Sequence, residues 1–316
     1  MTKDIDSLVK KIGLSPARVE GLIYLFSQSI NNQDLLITTG LAKSILDDFR
    51  MEIGDYLLPS SKKTFLNPKG QLWVKKIKPK PFNWQIIDLE KMPSDLSNLF
   101  DRYQKERFEA DRKIDQFRAT KETVWNRVAI MNQNGDLDNH RLLFLGDADW
   151  VAVAAAYLKQ AKRIFVVEID ERVVNDLKKI SQENNLKIEI SKHDLKRPLP
   201  NHLLNNFDLV FSDPPYTANG VSLFLSRSIE ALDEKSSSRV YFCYGQSDRA
   251  RERSLEIQRL LSQLGLLIEE CRPKFIRYFG AASIGSSSSL YINSLTVKTK
   301  PTIVGQFTGP IYTWQK

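Results

Sequence analysis

Cysteine and histidine are scarce in this 316-residue chain, with two and three copies respectively. Cys243 and Cys271 stand alone, which argues against a disulfide scaffold and against a paired-cysteine metal or redox site. His140, His193 and His202 show no ligand spacing, so no metal site is expected. Long apolar runs are lacking as well: none approaches the ~18 residues that cross a bilayer, and no membrane partner is expected. Met1–Lys11 is charged and amphipathic, unlike a secretory leader. These absences together lead us to expect a cytoplasmic protein. Neither sign of charge dominates. A net +8 permits nucleic-acid contact without demanding it.

The length suffices for two domains, each with its own core. Asp6–Ile12, Pro16–Ile30, Gln33–Thr39 and Leu41–Ile53 carry apolar residues at helical spacing, with Ser15 before Pro16 as a cap and Gly40 as punctuation. Thr64–Leu66 and Gln71–Ile77, separated by Asn-Pro-Lys-Gly, read as a hairpin. Helices followed by a hairpin predict a small winged-helix-like domain over residues 1–80. Lys75–Lys80, beside Trp73 and Trp84, could form a nucleic-acid footprint. Asp47, Asp48 and Glu52 on the would-be recognition helix repel phosphate, so nucleic acid is not favoured. A structural, substrate-covering or dimer-forming role is expected instead, and with it a homodimer.

Residues 81–130 read as a helical linker. It includes a charged helix over Leu96–Arg112 and a second over Lys121–Met131. Thr120 and Thr123 suit the start of the second helix, either as caps alone or with spare amides for a ligand. From about residue 131 strands and helices alternate. Strands over Arg141–Leu145, Arg163–Glu168, Lys187–Ser191, Phe207–Ser212 and Val240–Tyr244 are followed by a pair, Leu266–Tyr278 and Leu290–Lys298, with Ser286–Ser289 as their loop. The predicted class is α/β: a Rossmann-like doubly wound sheet over 131–316 with a C-terminal antiparallel hairpin. The tail, Pro301–Lys316, has no evident place.

The chemistry gathers at strand ends. Phe207–Ser212 runs into Asp213-Pro214-Pro215-Tyr216-Thr217, where two prolines stop the strand and turn the chain outward. Ligands of open α/β sheets bind beyond such ends, so Asp213 and Tyr216 should stand over a pocket. Asp-Pro-Pro-Tyr resembles the motif of enzymes that alkylate amino nitrogens. There the carboxylate and a proline carbonyl, here that of Pro214, accept from the attacking N–H. The plainer reading is an N-capping acid with a stiff turn. Glu168 and Asp170, about twenty residues beyond the first turn, are in range for ribose hydroxyls, although Asp170 also suits a cap for the next helix. Asp194 could accept from an adenine amine or simply shape its loop. The first turn keeps one glycine, Gly146, followed by Asp147 and Asp149. Acids there repel a donor carboxylate and welcome an ammonium; equally, they favour a helix dipole.

Four stretches, Gly146–Asp149, Glu168–Arg172, His193–Pro200 and Asp213–Arg227, together resemble the branched-chain polyamine synthase family, N4-bis(aminopropyl)spermidine synthases. The resemblance spans about residues 110–280, and more loosely the N-terminus. It implies aminopropyl transfer from decarboxylated S-adenosylmethionine to a linear, spermidine-like polyamine, with release of 5′-methylthioadenosine and no metal. Within it, Asp149 is expected as the base and Asp213 as the acceptor that orients the amine. Asp147, Pro214 and Tyr216 would hold the substrate, and Gly146, Glu168, Asp170, Asp194 and Thr120 the donor. The chain departs from the family turn of three consecutive acids at Ala148, and Trp150 is expected to narrow the pocket; both bear on whether the product is branched. The alternative is an S-adenosylmethionine-dependent methyltransferase acting on a nucleic-acid base, which should prefer glycines at Asp147 and Asp149. A third reading is a DNA-binding regulator that senses a polyamine or nucleoside.

Overall fold

The computed structural model describes residues 4–39, 41, 43–58, 65–82, 84, 89–233, 237–245, 251–279 and 287–315. The chain divides into two compact units, Met1–Leu89 with Ile130–Asp138 and Glu90–Ala129 with Asn139–Lys316.

The smaller unit begins with helices α1 (Ile5–Ile12), α2 (Pro16–Ser27), α3 (Asn32–Thr39) and α4 (Lys43–Glu52), close to the spans read from periodicity. Ser15 accepts from the Arg18 N–H at the start of α2, with Pro16 in the first turn. Leu22, Phe26, Leu46 and Phe49 are fully buried in its core. The hairpin differs from expectation. Residues Pro68–Ile77 form a helix, α5, because Asn67 caps it by accepting from the Gly70 N–H at 2.8 Å and Pro68 takes the first turn. The Asn-Pro-Lys-Gly stretch is thus a helix start, and Trp73 on α5 stacks on Tyr56 at 4.5 Å. The expected pairing of Thr64–Leu66 with Gln71–Ile77 is not formed among the described residues, Thr64 lying outside them; Leu66 instead makes an isolated antiparallel bridge to Leu57. Gly40 lies outside them.

The larger unit opens with α6 (Ser94–Gln104), which stops well short of Arg112 because Arg107 leaves the helical path and stacks on the Trp150 ring at 4.0 Å. Helix α7 (Lys121–Gln133) runs on from this unit into the smaller one. Then follow β1 (Arg141–Leu145), α8 (Val151–Tyr157), β2 (Arg163–Glu168), α9 (Glu171–Glu183), β3 (Glu189–Lys192), β4 (Leu209–Ser212), α10 (Ala218–Ala231), β5 (Arg239–Tyr244), α11 (Arg251–Gln263), β6 (Leu267–Arg277) and β7 (Ser287–Ser294). The sheet order is β3-β2-β1-β4-β5-β7-β6; β1 to β5 are parallel, and β7 is antiparallel to β5 and β6. β4 and β5 are covered on both faces and buried at every position, which is why they are largely apolar. Ser287, Ser288 and Ser289 belong to β7 rather than to a loop: Ser288 pairs with Ile276, and Ser289 with Tyr244.

The chain leaves β1 in one direction for β2 and β3, then returns to add β4 on the other side. A crevice must open where the order reverses. Leu145 pairs with Val167 and with Ser212, so Gly146, Glu168 and Asp213, each one residue past its pairing, emerge side by side. The tail has a definite place. Ile311 and Tyr312 pack with Leu223 of α10, and Thr313 donates from its N–H to Asp115 at 2.9 Å. Among the described residues no helix is long and apolar enough to cross a membrane.

Candidate active site

The crevice at the β1/β4 reversal is lined by Gln116, Phe117, Arg127, Gly146–Asp149, Glu168, Asp213, Pro215, Tyr216, Tyr278 and Tyr312. A smaller recess continues it past Glu168 to His193, Asp194 and Leu195, again with Tyr312 on its wall.

At the first turn, Gly146 has φ +73°, a conformation that a side chain disfavours. Its N–H donates to Val167 at 2.8 Å, which carries the chain across the end of β2. Glu168 fixes this turn. One of its oxygens accepts from the Asp147 N–H at 2.9 Å, the other from the Ile169 and Asp170 N–H groups at 2.8 and 2.9 Å. Burial pushes the Glu168 carboxyl up, and those three amides hold it down in part.

Asp147 has a different occupation from the one expected. It is 2% exposed, and its two oxygens accept from the Val151 and Ala152 N–H groups at 2.7 and 2.9 Å. The carboxylate therefore caps α8 instead of reaching toward an ammonium. Burial raises its pKa well above the usual carboxylate value.

Asp149 is engaged on both oxygens too. The Ala119 N–H donates to Oδ1 at 2.9 Å and Arg127 Nη1 to Oδ2 at 2.8 Å, with Arg107 3.8 Å from Oδ1. Asp213 is engaged on one side only. Its Oδ2 accepts from Arg127 Nη2 and, at 2.7 Å, from the Tyr278 hydroxyl. Its Oδ1 accepts from no described residue, and the side chain is 20% exposed. Burial pushes the Asp213 carboxyl up; Arg127 opposes this and Asp149 adds to it.

Tyr216 is half-buried beside this carboxylate, its ring 6.2 Å from Phe117 and 6.0 Å from Tyr244. Four expectations need correction. Pro214 does not line the crevice, whereas Pro215 does. Trp150 does not narrow it: the ring is 1% exposed, packed near Phe100 and under Arg107. Thr120 is outside it as well. The Thr120 hydroxyl accepts from the Thr123 N–H at 3.2 Å and its N–H pairs with Arg277, the plain capping alternative. Asp170 is not itself a lining residue; it caps α9 and is held by Arg172 and by Gln116, which does line the crevice.

Sequence reasoning passed over Arg127 and Tyr278. Arg127 had a signal: with Thr120 and Thr123 it forms an i, i+3, i+7 polar stripe on a helix whose neighbours Val124, Trp125 and Val128 are buried. Tyr278 had none, since only the pairing of Ala119 with Tyr278 brings it in. Among the described residues no group of three or more His, Cys, Asp or Glu is arranged to hold a metal ion.

Residues 95–306 match the family described as the branched-chain polyamine synthase A C-terminal domain. An uncharacterised protein of Methanocaldococcus jannaschii is 38% identical over 234 residues, covering 74% of this chain and 58% of that protein. An N(4)-bis(aminopropyl)spermidine synthase of Thermococcus kodakarensis is 32% identical over 225 residues, covering 71% and 61%. The chain thus matches about three fifths of the length of these curated relatives. The crystal structure of the branched-chain polyamine synthase from Thermus thermophilus, in complex with N4-aminopropylspermidine and 5′-methylthioadenosine, is similar with a TM-score of 0.64 at 21% identity. That likeness covers 99% of this chain and 92% of that one, and shows a common fold.

Proposed function

Because the chain belongs to the branched-chain polyamine synthase family, we propose that it transfers an aminopropyl group from decarboxylated S-adenosylmethionine to an amine nitrogen of a linear polyamine. The observation that carries this reading is the pairing of a closed first turn with an open Asp213. The amides at the start of α8 are those a donor carboxylate would seek, and Asp147 already fills them. A donor without its carboxylate needs no such amides.

Glu168 and Asp194 suit the donor's ribose and adenine. A carboxylate has about four lone-pair sites, so Glu168 can accept from one ribose hydroxyl while keeping its three amides. Asp194 uses Oδ1 for the Lys196 N–H at 2.9 Å. The acceptor amine is protonated in water. It gives its proton to Asp213 Oδ1, and the freed lone pair attacks the propyl carbon bound to the sulfonium. The new N–C bond forms as C–S breaks, and the electron pair of that bond leaves with sulfur as the neutral thioether, 5′-methylthioadenosine. Positioning and proton acceptance are the two contributions asked of the chain. We assign the acceptance to Asp213 rather than Asp149, both of whose oxygens are already engaged. Aromatic faces at Phe117 and Tyr216 suit the methylenes and ammonium groups of a polyamine.

Calorimetric titration with S-adenosylmethionine and with its decarboxylated form, and 5′-methylthioadenosine as control, tests the reading. Tighter binding of the decarboxylated donor is expected. Preference for the intact donor would overturn it in favour of methyl transfer. A second expectation concerns Glu168→Gln. Losing charged hydrogen bonds of about 1.5–3 kcal/mol should weaken 5′-methylthioadenosine binding roughly 10- to 150-fold. Unchanged affinity would remove Glu168 from the donor site.

A further inference from the structure

Arg127 is fully buried, yet its guanidinium reaches two carboxylates that lie on different strand ends. Nη1 donates to Asp149 and Nη2 to Asp213, while the Tyr278 hydroxyl lies 3.2 Å from Nη2 and donates to the same Asp213 oxygen. Below it the ring of Phe211 sits 5.3 Å from the guanidinium carbon. A planar fork with two outer nitrogens fixes the spacing and the tilt of the acids that it grips; an ammonium, a point charge, cannot. A buried cation also costs too much to be kept without partners, so it and the two acids stand or fall together.

Resting on the aminopropyl-transfer reading, we propose that Arg127 is a positioning residue for the transfer, holding Asp213 as an oriented carboxylate whose Oδ1 alone is left for the acceptor amine. Arg127 and Tyr278 both take Oδ2, so a proton or an N–H can arrive only at Oδ1. Asp149, gripped by the Ala119 amide and by Arg127, anchors the other tine of the fork. Two facing acids without the cation would repel, and one of them would keep a proton at neutral pH. That one is Asp213, since burial already pushes it upward. A protonated Asp213 cannot accept a proton from the amine.

The other groups facing Asp213 are few. Tyr216 and Tyr278 are held neutral by burial, and burial likewise keeps the Cys243 thiol protonated. Ser288 lies behind Tyr278 at 2.9 Å. Arg127 is therefore the cation that offsets Asp213, with Arg107 placed against Asp149.

The test is a carboxyl-carbon NMR titration of aspartate-labelled full-length protein, with the Asp213 signal assigned from Asp213→Asn, followed by kcat against pH at saturating substrates. In Arg127→Gln the midpoint of Asp213 should rise by about 1–3 pH units. In Asp149→Asn it should fall, since a like charge is removed while the cation stays. The acid limb of kcat should move with each midpoint. Arg127→Lys keeps the charge without the fork; its midpoint should stay near that of the parent, while kcat on the plateau drops about tenfold or more and the donor KM is unmoved. Asp213 midpoints that agree across the parent, Arg127→Gln and Asp149→Asn would overturn the proposal, as would a Lys variant with full kcat. If Arg127→Gln does not fold, the Lys and Asp149→Asn variants still decide. The titration needs no substrate. Shifted midpoints in a parent that releases no 5′-methylthioadenosine from any polyamine would therefore sink the functional reading, and with it the role in transfer, while leaving the grip on Asp213 intact.

Discussion

Asp213→Asn should lower kcat for 5′-methylthioadenosine release by about 10²–10⁴-fold, the range for loss of a positioned general base. Asparagine keeps the volume and one acceptor. Arg127 Nη2 and the Tyr278 hydroxyl both require an acceptor where Oδ2 now sits, so the amide oxygen must take that place. The amide nitrogen is then left at the position of Oδ1. A donor stands where the amine's N–H needs an acceptor, and no proton can be taken up. Donor affinity should change little, because Glu168 and Asp194 are on the far side of the first turn. Steady-state kinetics with calorimetry of 5′-methylthioadenosine binding checks both statements. A kcat within about tenfold of the parent would return the base role to Asp149.

That prediction uses an atom-level distinction the sequence did not contain. Asp147, Asp149 and Asp213 look alike in the chain: an acid just past a strand. Their strand ends could be read, since apolar runs stopped by Gly146 or by Pro214 are local signals, and parallel pairing then brings the three acids to one crevice. What each acid does is decided by who donates to it. Asp147 meets the α8 amides in its own turn, so its cap was legible as the plainer alternative. Asp149 and Asp213 meet a guanidinium from α7, and Asp213 also meets a hydroxyl from the end of β6, partners 65 and 86 residues away from Asp213. Such pairings are made by topology, not by spacing. Trp150 shows the same limit in the other direction. Next to the motif in sequence, it takes a positive φ of 63° and leaves the crevice for the core, where Arg107 covers it. The lost hairpin had a local cause and could have been read better: Asn67 and Pro68 are as good a helix start as Ser15 and Pro16.

Arg227→Met should be the most damaging substitution for stability among residues that touch no proposed substrate. Arg227 is fully buried on α10 and serves three segments at once. Nε donates to the Leu195 carbonyl at 2.9 Å, Nη1 to Glu230 at 2.9 and 3.1 Å, and Nη2 to the Gly305 carbonyl. Methionine fills much of the space but donates nothing. Two carbonyls lose a donor, and Glu230, 16% exposed, loses its cation. Breaking a buried pair of this kind costs about 3–5 kcal/mol, which for a chain of this size lowers Tm on the order of 10 °C. The damage should extend to binding. Leu195 lies on the recess beside Asp194, and the tail that Gly305 helps to anchor carries Tyr312 to the wall of the same recess. A thermal melt with and without 5′-methylthioadenosine separates the two effects. The variant should melt lower and gain less from the ligand than the parent does. A Tm within about 2 °C of the parent, against the loss expected for a broken buried pair, would mean that solvent repairs the contact and that the tail stays in place without Arg227.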